Sequence, residues 1–151
     1  MGLPITTALD RLQSHAMRLG VFERVRLHEP KTAPGKGITC AIWADSVTPV
    51  RSSGLNSTSV RLVLNVRLYA PMLADREDST DRDLTTALDR LLAAYTGDFD
   101  LGGAVRHIDL LGTTGEPLGA RAGYLEIDRK FFRVYTITLP LVVNDAWTQG
   151  A

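Results

Sequence analysis

The sequence predicts an α+β fold, an antiparallel or mixed sheet of about five to six strands with two amphipathic helices packed on it. Three observations carry that prediction. The elements run helix, strands, helix, strands, so the strand–helix alternation of a doubly wound parallel sheet is missing. Two segments carry apolar residues at helical spacing. The segments between them alternate apolar and polar residues with a period of two.

The first helix is expected over Thr6 to Leu19. Ile5, Leu9, Leu12, Ala16 and Leu19 recur at spacings of four and three and form one stripe. Pro4 suits the first turn, and Gly20 suits the stop. The second helix is expected over Asp83 to Thr96, with Leu84, Leu88, Leu91 and Tyr95 as its stripe. Thr80 and Asp83 fit a capping box, and Gly97 suits the end. The heptapeptide Thr6-Thr7-Ala8-Leu9-Asp10-Arg11-Leu12 recurs unchanged as Thr85 to Leu91. The repeat reads as two similar helices that want the same apolar stripe and could share one sheet face.

Strands are expected over Val21 to His28, Ile38 to Asp45, Ser59 to Tyr69, Val105 to Leu111, Tyr124 to Asp128 and Phe131 to Val142. The third alternates most cleanly. Val60, Leu62, Leu64, Val66 and Leu68 face in, while Ser59, Arg61, Asn65 and Arg67 face out. The last two form a hairpin turning near Asp128-Arg129-Lys130. Residues 1–145 then make a single domain, with a short C-terminal tail at 146–151. Two polar segments are left over. Glu29 to Gly37 is one. Ser46 to Thr58, rich in Ser, Thr, Pro and Gly, is expected to be a long flexible loop.

Composition narrows the function classes. With 44% hydrophobic residues and 17 basic against 17 acidic, the chain is neither disordered nor a basic nucleic-acid binder as a whole. One cysteine excludes a disulfide framework or a multi-Cys metal site. No apolar run reaches membrane-spanning length, and no signal peptide is expected at the N-terminus. The charges are uneven. Residues 1–74 hold 9 basic and 4 acidic side chains, net +5, and residues 75–100 hold 3 and 8, net −5. Opposed charges on a neutral chain suit a head-to-side contact between copies.

No sequence motif points to catalysis. Ala33-Pro34-Gly35-Lys36-Gly37 lacks the spacing and the helix of a phosphate loop. The acids between Asp75 and Asp83 alternate like a calcium loop, but Thr80 and Thr86 stand where Gly and Glu are needed. His15, His28 and His107 fall in different elements, although His107 and Asp109 share a strand face. Cys40 lies on an apolar face, as a buried inert thiol does. Arg61, Arg67, Arg106 and Arg133 could line one sheet face. No enzyme activity, metal or cofactor is expected.

Taken together, the layout resembles the tail terminator proteins of long-tailed bacteriophages. The resemblance rests on the N-terminal amphipathic helix and the strand pair after it. It continues through Arg61-Leu62-Val63-Leu64-Asn65-Val66-Arg67-Leu68-Tyr69-Ala70-Pro71, the second helix, and the closing run from Phe132 to Asn144. It is a match of layout over nearly the whole chain, with no invariant motif. It implies a virion structural protein that forms a hexameric ring at the head-proximal end of the tail, assembled in the host cytoplasm. Its partners would be other copies of itself, the tail tube protein and a head-completion or connector protein. DNA would pass through the lumen without specific binding, and no membrane would be involved. In that setting Thr48, Arg51, Ser53 and Asn56 are candidates for a loop meeting the tube or lumen. Arg61, Arg67, Asp78, Asp81 and Asp83 are candidates for the ring interface. The alternatives are another neck or tube protein, such as a head-closure or tail tube subunit, or a small-molecule-binding or enzymatic domain with a pocket holding His107 or Cys40.

Overall fold

The computed structural model describes residues 2–53, 56–72 and 77–150, with Ser52, Ser53, Glu77 and Asp78 described by their backbone alone. The elements are α1 (Ile5–Arg18), β1 (Arg24–Arg26), β2 (Thr39–Ser53), β3 (Ser57–Pro71), α2 (Glu77–Thr96), β4 (His107–Ile108), β5 (Gly119–Ile127) and β6 (Lys130–Thr148). A short 3-10 turn, Leu101–Gly103, follows α2. The strands form a mixed six-stranded sheet in the order β1-β2-β3-β6, with β4 and β5 both pairing β6. All pairs are antiparallel except β1 with β2. This is the expected α+β class.

Both helices lie on one face of the sheet, called here the inner face. The core there joins Ala8, Leu12 and Ala16 of α1 to Leu84, Ala87, Leu88, Leu91 and Tyr95 of α2. Beneath them lie Val60, Leu62, Leu64, Val66 and Leu68 of β3, with Ile137, Leu139, Leu141 and Val143 of β6. The repeated heptapeptide buries Ala8 and Leu12 in one helix and Ala87 and Leu91 in the other, so each copy presents the same two positions. In α1 the stripe is turned from the expected one. Ala8 replaces Ile5, which is 44% exposed, because small residues let the helix sit close to the sheet. Gly20, at φ +68°, ends α1 as a residue without Cβ can.

The opposite, outer face carries a smaller second cluster of Ala41, Tyr69, Phe132 and Val134, with Trp43, Leu125 and Ile127 beside it. Ala33, from the Glu29 to Gly37 segment, folds onto it, and its N–H donates to Asp128 Oδ2 at 3.0 Å. Tyr69 and Phe132 meet edge to face, with ring centroids 6.3 Å apart.

Several expected boundaries are corrected. The flexible loop expected at 46–58 is instead the far half of β2, up to Ser53, and the start of β3, from Ser57, while residues 54 and 55 lie outside the described residues. Val47, Thr48, Pro49, Arg51 and Ser53 pair with Leu62, Arg61, Val60, Ser59 and Ser57. Backbone ladder bonds hold this stretch, and bulges at Ala44/Ser46 and Pro49/Arg51 absorb its proline and break the alternation that would have revealed it. The C-terminal tail at 146–151 is likewise strand through Thr148, which pairs with Ser57. Helix α2 begins at Glu77, so Thr80 lies inside its first turn and no capping box forms at Thr80 and Asp83. The Val21–His28 strand is reduced to Arg24–Arg26, and Val105–Leu111 to His107–Ile108. Asp75 lies outside the described residues.

Candidate functional site

Register across the sheet sorts the candidate residues, because directly paired residues share a face. Thr48 pairs with Arg61, Arg61 with Val142, and Val142 with His107. That row crosses four strands on the outer face. Arg51 pairs with Ser59 one step further along. These residues line an open groove of about 580 Å³, together with Arg106, Thr113, Thr114 and Asn144. The floor is sheet. One wall is the loop that leads from β4 to β5.

A buried carboxylate builds that wall. Asp109, 2% exposed, accepts hydrogen bonds from the N–H groups of Gly112, Thr113 and Thr114 at 3.1, 2.9 and 2.8 Å. It also accepts from the Thr113 and Thr114 hydroxyls. Burial pushes its carboxyl up, but the donated hydrogen bonds from Thr114 and Thr113 outweigh that and hold it at about 2. Asp109 is therefore occupied within its turn and has no role as a partner for His107. The turn in turn holds Arg61, whose Nη1 donates to the Thr114 carbonyl. Gly115 sits beside this contact at φ +119°, and a Cβ there would come within 2.9 Å of Arg61 Nη1. Arg61 Nε is buried with no hydrogen-bond partner among the described residues.

The other candidates lie elsewhere. Arg67 shares the outer face, paired with Ala41 and Thr136. Its Nε donates to Thr136 Oγ1 at 2.8 Å, and its guanidinium stands 5.3 Å from the Trp43 ring centroid. Asp81 accepts from Arg133 Nε at 2.9 Å, and Asp83 is exposed on α2. Asp78 is in the first turn of α2. Ser53 pairs with Ser57, and the Asn56 carbonyl accepts from Gln149 N–H at 2.6 Å. The structure thus brings Thr48, Arg51 and Arg61 together and leaves the α2 acids on the opposite face.

One expectation fails outright. Arg133 is not on the face of Arg61 and Arg67. It pairs with Ala70 and Tyr124 and reaches the helix side, with its guanidinium 4.5 Å from the Tyr124 ring centroid. The period-two alternation of β6 separates it from Phe132 and Val134 of the outer face. Arg106 does join Arg61, as the sequence suggested. Thr113 and Thr114 carried no signal, since only the fold brings the 109–118 loop over β3. Cys40 is fully buried in the inner core, and burial pushes its thiol up to about 12.

No known protein family and no curated protein matches this chain. Among solved structures, it is similar to the sheath/tube terminator of an extracellular contractile injection system, the PVC, in its extended state. The match has a TM-score of 0.44 and 11% identity, and covers 100% of this chain and 59% of that one. The chain therefore spans less than two thirds of that terminator's length.

Among the described residues, no helix is long and apolar enough to cross a membrane.

Proposed function

We propose that this chain is a virion structural protein that forms a ring on the end of a phage tail tube, stops the tube's growth and joins the tail to the head-completion complex. The observation that supports this reading is a sheet whose two helices cover one face only. Helices close the inner face. The outer face keeps a small apolar cluster and a row of arginines, and β2 beyond Ala41 pairs with β3 alone among the described residues. A face without helices and an open strand edge are surfaces that a neighbouring chain can cover. A contact between unlike surfaces repeats from copy to copy and closes as a ring when the rotation permits, six copies in the family the sequence resembles.

On this reading the work is mechanical, and no bond is made or broken. One side of the ring mimics a tube subunit and binds the last tube ring. The other side offers no template for a further tube ring and meets the head connector. DNA crosses the lumen without being read. The protein resides at the head-proximal end of the tail and is assembled in the host cytoplasm.

Gold-labelled chain added to tubes of the neighbouring tail tube protein tests the reading by electron microscopy. Label at one end of each tube is the expected result. Label along the length would make the chain a tube subunit instead, and label nowhere would overturn the proposal.

A further inference from the structure

Arg51, Arg61 and Arg106 bring three guanidinium groups to one groove, with His107 beside them. No Asp or Glu is among the residues lining it. Arg61 is anchored on one side by the Thr114 carbonyl, yet among the described residues its Nε has no acceptor and no carboxylate pairs with its guanidinium. Arg51 and Arg106 are exposed at the rim. We infer that this groove is a binding site for phosphate groups.

The charge decides the class of ligand. Three guanidiniums around one opening carry more positive charge than a single carboxylate offsets, whereas a phosphate dianion or a run of phosphodiesters matches them. The planar fork of arginine suits phosphate oxygens, which can accept two parallel N–H bonds. The volume, about 580 Å³, leaves room for more than the phosphate itself. Two sources share this chemistry, a small phosphate-bearing molecule and the backbone of a nucleic acid. Roughly 20 Å further along β3, at about 3.3 Å per residue, Arg67 stands on the same face in a row with exposed Arg121. An extended polyphosphate chain would find a second pair of cations there. Contacts of this kind fix position without reading sequence.

The site is open on the isolated chain and does not depend on ring assembly, so its test and that of the ring are separate. Isotope-labelled chain is titrated with sodium phosphate and with sodium chloride at equal ionic strength, then with a short thymidine oligonucleotide and with a glutamate-rich peptide, following backbone amide resonances. The paired variant Arg51→Gln with Arg106→Gln is titrated alongside. Both side chains are exposed, and an unchanged spectrum elsewhere verifies its fold. The amides of Arg51, His107, Thr113 and Thr114 are expected to move saturably with phosphate beyond chloride. The paired variant should weaken that binding about tenfold or more, the loss of one good charge-assisted contact. An oligonucleotide that binds tighter than free phosphate identifies a nucleic-acid backbone. Equal or weaker binding identifies a small phosphate ligand. Shifts no larger than those from chloride, binding unchanged in the paired variant, or saturation by the peptide alone would each overturn the inference.

Discussion

His15 Nε2 and Asp98 Oδ2 stand 2.7 Å apart, which pins the last turn of α1 to the turn that follows α2. The same carboxylate accepts from Arg11 Nε at 2.7 Å and, through its other oxygen, from Gly102 N–H at 3.1 Å. Asp98 thus joins the two helices that close the inner face. Its carboxyl is held at about 2, first by the hydrogen bond from Arg11 and then, against burial, by those from His15 and Gly102.

Replacing Asp98 with Asn therefore has a pH signature. The folded value lies below the unfolded one of about 3.9. The carboxylate stabilises the fold above that unfolded value, and its contribution is lost as pH falls from about 4 to about 2. Asp98→Asn should cost about 1.5–3 kcal/mol at neutral pH, the range for hydrogen bonds to a charged group. Urea unfolding at several pH values measures this, and the difference between wild type and variant should shrink towards pH 2.

The β5–β6 hairpin contains a conformational strain that can be relieved. Asp128 and Arg129 have φ of +52° and +63°, the backbone of a tight two-residue turn. Arginine is a poor residue there and glycine a good one. Arg129→Gly should raise stability by about 0.5–1 kcal/mol, the left-handed penalty less the added entropy of an unfolded glycine. Thermal unfolding provides the readout.

Cys40 tests how closed the inner core is. It is fully buried, with its thiol pushed up to about 12. A thiol reagent at pH 8 should label it only at the rate of unfolding, and at once in denaturant. Rapid labelling of the native chain would mean that the sheet opens under α1.

The outer half of the β2–β3 pair has its own consequence. The ladder amide hydrogens of the β2–β3 pair around Val47 and Leu62 should exchange slowly, the Leu62 region most of all because β3 is paired on both sides. Exchange at the rate of an unstructured peptide over 46–53 would contradict the strand assignment.

The same segment explains what the sequence conveys and what it conceals. Leu62, Leu64, Val66 and Leu68 alternate without interruption, so the central strand and its buried face are plain from spacing alone, as are Leu84, Leu88, Leu91 and Tyr95 on α2. Val47 to Ser53 is strand for a tertiary reason. Its Ser, Thr and Pro residues have no strong pattern, and β3 supplies the ladder that orders them. Thr48, Arg51 and Arg61 were recognisable as separate candidates. Their meeting with Arg106 and His107 depends on β4 pairing with β6 across a long sequence separation, which no local signal encodes. Arg133 shows the reverse: its residue type matches Arg61 and Arg67, but the register of β6 on β3 sets it opposite Ala70, on the other face.

The most direct test of the ring proposal follows tail tube growth by light scattering while this chain is titrated in, with the products viewed by negative-stain electron microscopy. Growth should stop at chain concentrations well below that of the tube protein, leaving tubes that end in a ring. Tubes that keep growing at every ratio, with no ring at either end, would contradict it.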